Sequence, residues 1–385
     1  MTLSANWSYP TAIRFGAGRI AELAGACRRA GILRPLFVTD RGLAALAMTG
    51  EAIALLEAEG LAPGVFSEVQ SNPTDRNLAA GLAAYRAGGH DGVVAFGGGS
   101  ALDLGKLVAF MPGQTRPVWD FEDVDDWWRR ADADAIAPVV AVPTTAGTGS
   151  EVGRASVLTN TESHVKKVIF HPEMLPKVVI ADPVLTAAMP RPITVGTGMD
   201  ALAHALEAYS SPFFHPMSEG IALEGMRLVK ENLPRVAEAP DDIEARGKML
   251  AAAMMGAVAF QKGLGAIHAI SHPIGALYDT HHGMTNAVVM PYVLAANRPA
   301  IEEKMTRLAA FLGLAGGFDG VLGWILELRD RLGVPATLAA FGVDDARFAE
   351  MAEMAVADPT AGGNPVPVTA ASAAALLRAA HDGTL

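Results

Sequence analysis

The sequence predicts an α/β domain built on a parallel sheet, followed by an all-helical domain. Three observations carry that expectation. Short β-rich runs alternate with longer helical stretches as far as Ala181. Beyond Pro190-Arg191-Pro192 the apolar residues are mostly Ala, Leu and Met at helical spacing, with no convincing strand. The chain's 385 residues, 51% of them hydrophobic, exceed what one small domain needs. The boundary is placed near residue 190, giving domains at 1–190 and 191–385.

Taken in order, Leu36-Phe37-Val38 reads as a strand, and Leu43 to Glu59 as a helix of good helix formers ending at Gly60. Val65-Phe66 is a short strand and Asp75 to Ala87 a helix. Gly92 to Phe96 (GVVAF) is a buried strand that runs into three glycines. Pro138 to Val142 (PVVAV) and Lys177 to Ala181 (KVVIA) complete the set. Strands separated by helices at this spacing form βαβ units. In such sheets ligands sit beyond the carboxyl ends of the strands, which directs attention to the loops after Val38, Phe96 and Val142.

Composition narrows the function. Thirty Lys+Arg against 41 Asp+Glu leave a formal charge of -11, with no Lys/Arg-rich run, so nucleic acid is not an expected partner. A mean hydropathy of +0.27 excludes disorder for the bulk of the chain. The single cysteine, Cys27, supplies neither a disulfide nor a thiolate cage, so any metal is held by nitrogen and oxygen. The apolar run Met249 to Phe260 is too short to span a bilayer. The segment MTLSANWSYPTAIRFGAG lacks the pattern of a signal peptide. A cytoplasmic protein without a membrane partner is expected.

Two loops suit phosphate and ribose. GGGSALDLGK, Gly97 to Lys106, follows a strand and opens a helix, whose first N–H groups favour an anion. Ser100 is placed to cap that helix, with Asp103 as its capping-box partner. The spacing is not GxGxxG, and a plain strand-to-helix turn is the alternative. PTTAGTGSE, Pro143 to Glu151, offers Thr144, Thr145 and Thr148 beside two glycines; a polar surface loop is the alternative. Asp40 closes the first strand, where a carboxylate can bind a ribose diol or simply cap a helix.

The histidines cluster. Asp200 and His204 lie four apart in GMDALAHALEAY, on one helical face. GLGAIHAISHPIGALYDTHHGMTNAVVMPYV then holds His268, His272, His281 and His282, with Pro273 expected to kink or end its helix. One carboxylate and several imidazoles suit Fe(II) or Zn(II) better than Mg(II) or Ca(II). Satisfied polar residues are the bland alternative for each histidine, and Glu207 is read as structural.

These residues resemble the iron-containing (group III) alcohol dehydrogenase family. The match runs in order through LFVTD, SNPT, GGGSALDLGK, PTTAGTGSEV, KKVIFHP, DPVLT, GMDALAHALEAY and the histidine segment, and contributes little over the last hundred or so residues. The resemblance implies a Rossmann-like nucleotide-binding domain, a helical metal-binding domain (a dehydroquinate synthase-like fold) and a metal between them. It implies Asp200, His204, His268 and His282 as ligands of Fe(II), with Zn(II) as the other candidate, and His272 in proton transfer. For NAD it implies Asp40, Gly97, Gly98, Gly99, Ser100, Asp103, Thr144, Thr145, Thr148 and Lys166.

The sequence departs from the family at Ala155, where some members carry asparagine, and at His281, where others carry a smaller or non-ligand residue. The implied reaction is hydride transfer between a primary alcohol and NAD, and a homodimer or larger assembly is expected. Arg154 and Lys262 are candidate contacts for a substrate carboxylate, such as that of 4-hydroxybutyrate; structural ion pairs are the alternative. Glycerol dehydrogenase-like, maleylacetate reductase-like and dehydroquinate synthase-like enzymes share the fold. The full ligand set speaks against the reductases and against a non-catalytic binding protein.

Overall fold

The structure, a computed structural model, describes residue 9 and residues 11–163 and 165–385. Residues 1–8, on which the signal-peptide expectation partly rests, lie outside the described residues. The described chain forms two compact units, Tyr9–Met189 and Pro190–Leu385.

The first unit contains β1 (Ala12–Phe15), α1 (Leu23–Arg29), β2 (Pro35–Asp40), α2 (Arg41–Ala44), α3 (Ala47–Ala58), β3 (Gly64–Val69) and α4 (Asp75–Ala87). It continues with β4 (Gly92–Gly97), α5 (Gly99–Phe110), β5 (Val139–Pro143), β6 (Ala155–Thr159), β7 (Lys166–Phe170) and β8 (Val178–Ala181). Six strands form one parallel sheet in the order β1-β8-β5-β4-β2-β3. Its inner strands β4, β5 and β8 are buried throughout, as their uninterrupted apolar runs require. Leu23, Cys27 and Leu56 from α1 and α3 pack with Phe37, Phe96, Val140 and Ile180 into one core. Because β2 lies between β3 and β4, the connections diverge there, and the carboxyl ends of β2 and β4 flank the resulting crevice.

Three local features differ from the sequence expectation. Strand β1 is a four-residue sheet edge with no fully buried residue, so no apolar run announces it. Strands β6 and β7 form a separate antiparallel hairpin in register Ala155↔Phe170 to Thr159↔Lys166. The stretch from Leu43 to Glu59 is two helices: α2 ends at Ala44, and Leu46 adopts an extended conformation before α3.

The second unit is helical, with no strand among the described residues: α6 (Arg191–Ser210), α7 (Pro216–Glu238), α8 (Ile243–Ala259), α9 (Ala266–Tyr278), α10 (His282–Leu312), α11 (Gly317–Leu332), α12 (Phe348–Ala357) and α13 (Ala370–Asp382). Helix α6 packs against α7, α8 and α10 and is buried on nearly every face, so its polar residues must find partners inside the protein. Pro273 does not end its helix. Helix α9 runs five residues past it, forgoing the bond that an N–H at this position would make to Ala269. The apolar run Met249–Phe260 lies almost entirely within α8. Among the described residues no single helix is long and apolar enough to cross a membrane.

Helices α6 and α10 touch backbone to backbone. A Cβ on Gly283 would stand 2.1 Å from the Gly196 carbonyl oxygen and 3.1 Å from Asp200 Cβ. Gly283→Ala is therefore expected to cost about 1–3 kcal/mol by overpacking, read as a lowered melting temperature in calorimetry. An unchanged melting temperature would show that the crossing tolerates a methyl group.

Candidate active site

Burial of α6 places Asp200 and His204, one turn apart, inside the helical unit; α9 brings His268 and the first residue of α10 is His282. The three Nε2 atoms surround one carboxylate oxygen. Asp200 Oδ1 lies 3.7 Å from His204, 3.7 Å from His268 and 3.5 Å from His282. The ligating atoms of Asp200, His204 and His268 all fall within 4.8 Å of one another. Donor atoms about 2.1 Å from one divalent transition-metal ion stand about 3.4 Å apart, close to the three distances from Asp200 Oδ1, and His282 lies outside the group within 4.8 Å. The side chains of Asp200, His204 and His268 are 3%, 7% and 2% exposed, that of His282 30%.

Neighbouring groups set the direction of the lone pairs. Glu207 Oε2 lies 2.6 Å from His268 Nδ1, and its Oε1 accepts the Ile267 N–H at 2.6 Å. With the proton on Nδ1, His268 turns a lone pair on Nε2 toward Asp200. Asn286 Nδ2 donates to Asp200 Oδ1 at 2.8 Å and lies 3.3 Å and 3.2 Å from Nε2 of His268 and His282. Two amide hydrogens cannot satisfy three acceptors, whereas a cation attracts all of them. With no ion bound, a second proton on His268 takes the place of that lone pair. Burial opposes charge on His268, but Glu207 and Asp200 outweigh it and raise the imidazole to about 10. Burial likewise opposes charge on Asp200, and the facing imidazoles still hold it well below the usual carboxylate range. The cluster calls for positive charge at its centre.

The remaining histidines separate. His272 stacks on His282, with ring centroids 5.3 Å apart, and its Nδ1 faces Asp358. His281 Nδ1 accepts the Met284 N–H and caps α10, which gives this departure from the family a structural task.

In the first unit the nucleotide-loop candidates meet at the divergence point of the sheet. Asp40 caps α2 through Oδ1, which accepts the Leu43 N–H at 2.9 Å, while its Oδ2 stays beside Gly97. Thr144 N–H donates to the Gly97 carbonyl at 2.9 Å. A Cβ on Gly99 would lie 2.6 Å from Thr148 Cγ2, so glycine is required there for the two loops to approach this closely, while one on Gly98 would lie 3.1 Å from Thr145 Cγ2, a tight contact.

Ser100 and Asp103 do not form a capping box. Helix α5 is capped at Gly98 with no side-chain bond, which leaves its first N–H groups free of side-chain acceptors. Asp103 instead accepts from Ser150 Oγ at 2.5 Å and from the Val157 N–H at 3.0 Å. Beside it the buried Lys106 ammonium donates to the carbonyls of Ser150 and Ala155. Asp103 and Lys106 thus strap the threonine loop and the hairpin onto α5. Lys166 sits at the other end of the hairpin, opposite Thr159, which lies four residues from Ala155, about 13 Å along β6.

Of the two cations proposed for a substrate carboxylate, Lys262 is overturned. Its fully buried ammonium donates to Glu219 at 2.7 Å and to the Tyr209 carbonyl at 3.3 Å. Lys304 joins the same Glu219 oxygen at 3.1 Å, so the two lysines fasten the end of α6. Arg154 lies over the Phe170 ring, half-buried. The sequence reading missed Asn286, Asp358 and the task of Glu207. Glu207 and Asn286 were open to detection, since each falls on the same helical face as a ligand, at positions 204 to 207 and 282 to 286.

Glu207→Gln leaves a single acceptor for two donors and is expected to weaken metal affinity about 10–100-fold, as measured by competition with a chelator. Unchanged affinity would detach Glu207 from the centre. Glu151, buried next to Lys106, is pushed up to about 7 by burial, against its own backbone N–H and Lys106. Because this lies above the ordinary Glu value of 4.5, its contribution to stability is complete below about that pH and is lost as pH rises through about 7. Denaturant titrations should show that part of the fall absent in Glu151→Gln; identical pH profiles would remove Glu151 as its source.

Comparison with known proteins identifies the family. The family model described as "Iron-containing alcohol dehydrogenase" matches residues 10–183, and "Fe-containing alcohol dehydrogenase family, C-terminal" matches 194–381. The chain is 38% identical to 4-hydroxybutyrate dehydrogenase from Cupriavidus necator, covering 94% of this chain and 96% of that protein. It is 31% identical to NAD-dependent methanol dehydrogenase from Bacillus methanolicus, covering 97% and 99%. The solved structure of a 1,3-propanediol oxidoreductase superposes with a TM-score of 0.93 at 35% identity, covering 98% of this chain and 100% of that one. The chain belongs to the iron-containing alcohol dehydrogenase family.

Proposed function

We propose that this protein is a metal-dependent, NAD-linked dehydrogenase that interconverts a primary alcohol and its aldehyde, with a short ω-hydroxy acid such as 4-hydroxybutyrate as substrate. The observation that carries the reading is the convergence of three imidazole Nε2 atoms on one buried oxygen of Asp200. Asp200, His204, His268 and His282 would hold Fe(II) or Zn(II), with Glu207 fixing the tautomer of His268. A divalent ion bound there supplies Lewis-acid polarisation of the substrate oxygen, and NAD supplies the hydride acceptor. His272 takes the hydroxyl proton on oxidation and returns it on reduction. The glycine and threonine loops bind the pyrophosphate and ribose, and the free Oδ2 of Asp40 favours NAD over a 2′-phosphorylated cofactor.

The substrate class rests on the similarity to a 4-hydroxybutyrate dehydrogenase and on Arg154, the one proposed cation that Glu219 does not engage. With Fe(II) or Zn(II) supplied, 4-hydroxybutyrate should be oxidised with a kcat/KM about tenfold or more above that of n-butanol, a ratio worth about 1.4 kcal/mol or more. Arg154→Ala should erase the ratio, and NADH absorbance reads both. Equal kcat/KM for the two alcohols would remove the carboxylate clamp. Turnover that survives His268→Ala with metal bound would remove the ligand assignment.

A further inference from the structure

We infer that Asp358, far down the chain from the histidines, is the positioning residue for His272: its carboxylate fixes the ring and the tautomer in which Nε2 is free to take a proton. The inference rests on the function proposed above and adds to it a residue outside the motifs that suggested that function.

The geometry is specific. Asp358 Oδ2 lies 2.7 Å from His272 Nδ1. Its other oxygen, Oδ1, is held by the Thr360 N–H at 2.9 Å and the Thr360 hydroxyl at 2.5 Å, because Asp358 caps the short 3-10 turn Pro359–Gly363. One oxygen therefore belongs to the turn and the other to the imidazole. An ionised carboxylate only accepts, so Nδ1 carries the hydrogen and Nε2 carries the lone pair. Flipping the ring would break this bond within a mostly buried pair, with side chains 23% and 12% exposed.

The turn that presents Asp358 is fixed at its other end as well. Asn364, the residue after the turn, accepts the N–H of Ala266 at 3.1 Å, at the first residue of α9. It also exchanges two hydrogen bonds with Asn297 of α10, each 2.9 Å. The segment from Asp358 to Asn364 thus grips α9 at its beginning and again at His272. His268 and His272 both lie on α9, so one clamp sets a proposed ligand and the proton-transfer group in a common register. Spacing alone could not reveal it, since 86 residues separate His272 from Asp358.

The chemical consequence is limited to proton handling. As the alcohol becomes an aldehyde, the carbinol hydrogen leaves as hydride to NAD and the hydroxyl proton goes to His272 Nε2. Asp358, on the opposite nitrogen, stabilises the charge the ring then carries and keeps Nε2 as the accepting atom. This is the role of the third member in a nucleophile–base–orienter arrangement, applied to a proton acceptor.

The test uses the metal-loaded enzyme and its Asp358→Ala, Asp358→Asn, His272→Ala and doubly substituted His272→Ala/Asp358→Ala forms. Asp358→Ala should lower kcat about tenfold or more, with bound metal, NAD affinity and KM near wild type. Asp358→Asn, whose amide oxygen still accepts the Nδ1 proton, should recover part of that loss. In the His272→Ala background, removing Asp358 should change kcat less than twofold. An equal loss in both backgrounds, or loss of metal from Asp358→Ala, would make Asp358 merely structural and overturn the inference. A readout independent of turnover separates this from failure of the proposed function. In the zinc-loaded protein, 15N NMR should find His272 protonated on Nδ1 in the wild type and of mixed tautomer in Asp358→Ala. The same tautomer in both would overturn the inference even in an active dehydrogenase; a tautomer change in a protein inactive on every alcohol would support it while overturning the proposed reaction.

Discussion

The second unit is organised by one demand, the need to neutralise a carboxylate buried on every side. Asp200 sits on α6, which α7, α8 and α10 surround, and it is 3% exposed. A lone buried carboxylate is untenable in a low-dielectric interior and either takes up a proton or acquires positive partners. Here it acquires three imidazoles and an amide, each delivered by a different turn or helix. The Gly196–Gly283 contact is what lets α10 come close enough to deliver His282 and Asn286. Glu207 repeats the arrangement from the far side of His268, so that this imidazole lies between two carboxylates. Packing and charge are the same problem in this unit, because the small residues that permit the helix crossing also set the distance from Asp200 to His282 and Asn286.

The first unit solves a different problem, that of holding two glycine-containing loops in register. The loops touch through Gly98, Gly99, Thr145 and Thr148, where a side chain on either glycine would press on a threonine. Rigidity comes from beneath. Lys106 and Asp103 lie on the buried side of α5 and bind the main chain of the threonine loop and of the hairpin. Buried ionic groups of this kind add little net stability compared with apolar residues of the same size. What they do here is fix one geometry of the two loops.

The fold was largely legible in the sequence where burial is continuous. GVVAF, PVVAV and KVVIA appear as β4, β5 and β8 within a residue or two, because strands covered on both faces must be uniformly apolar. Strand β1 and the β6–β7 hairpin were not legible, since these half-exposed strands are four or five residues long and only β6 alternates. Among the site residues, those on one helical face with a ligand could be read from spacing, as Glu207 and Asn286 show. Ser100 was misread as a cap because Gly98, with no side chain to offer, already ends the strand-to-helix turn. Lys262 was misread because its motif position said nothing about Glu219, which comes from another helix, 43 residues earlier. Contacts made across the fold are set by packing, and a linear spacing rule does not contain them.

The four proposed ligands are unequally sheltered. Asp200, His204 and His268 lie behind the helices, while His282 stands at the amino end of α10 with 30% of its side chain in contact with solvent. An ion leaving the centre must exchange its bonds one at a time, and the outermost imidazole is the one that water reaches first. His282 is in this sense the door of the centre. In a centre occupied as proposed, this imidazole would be the first to exchange with water, and the three inner groups would hold the ion longest.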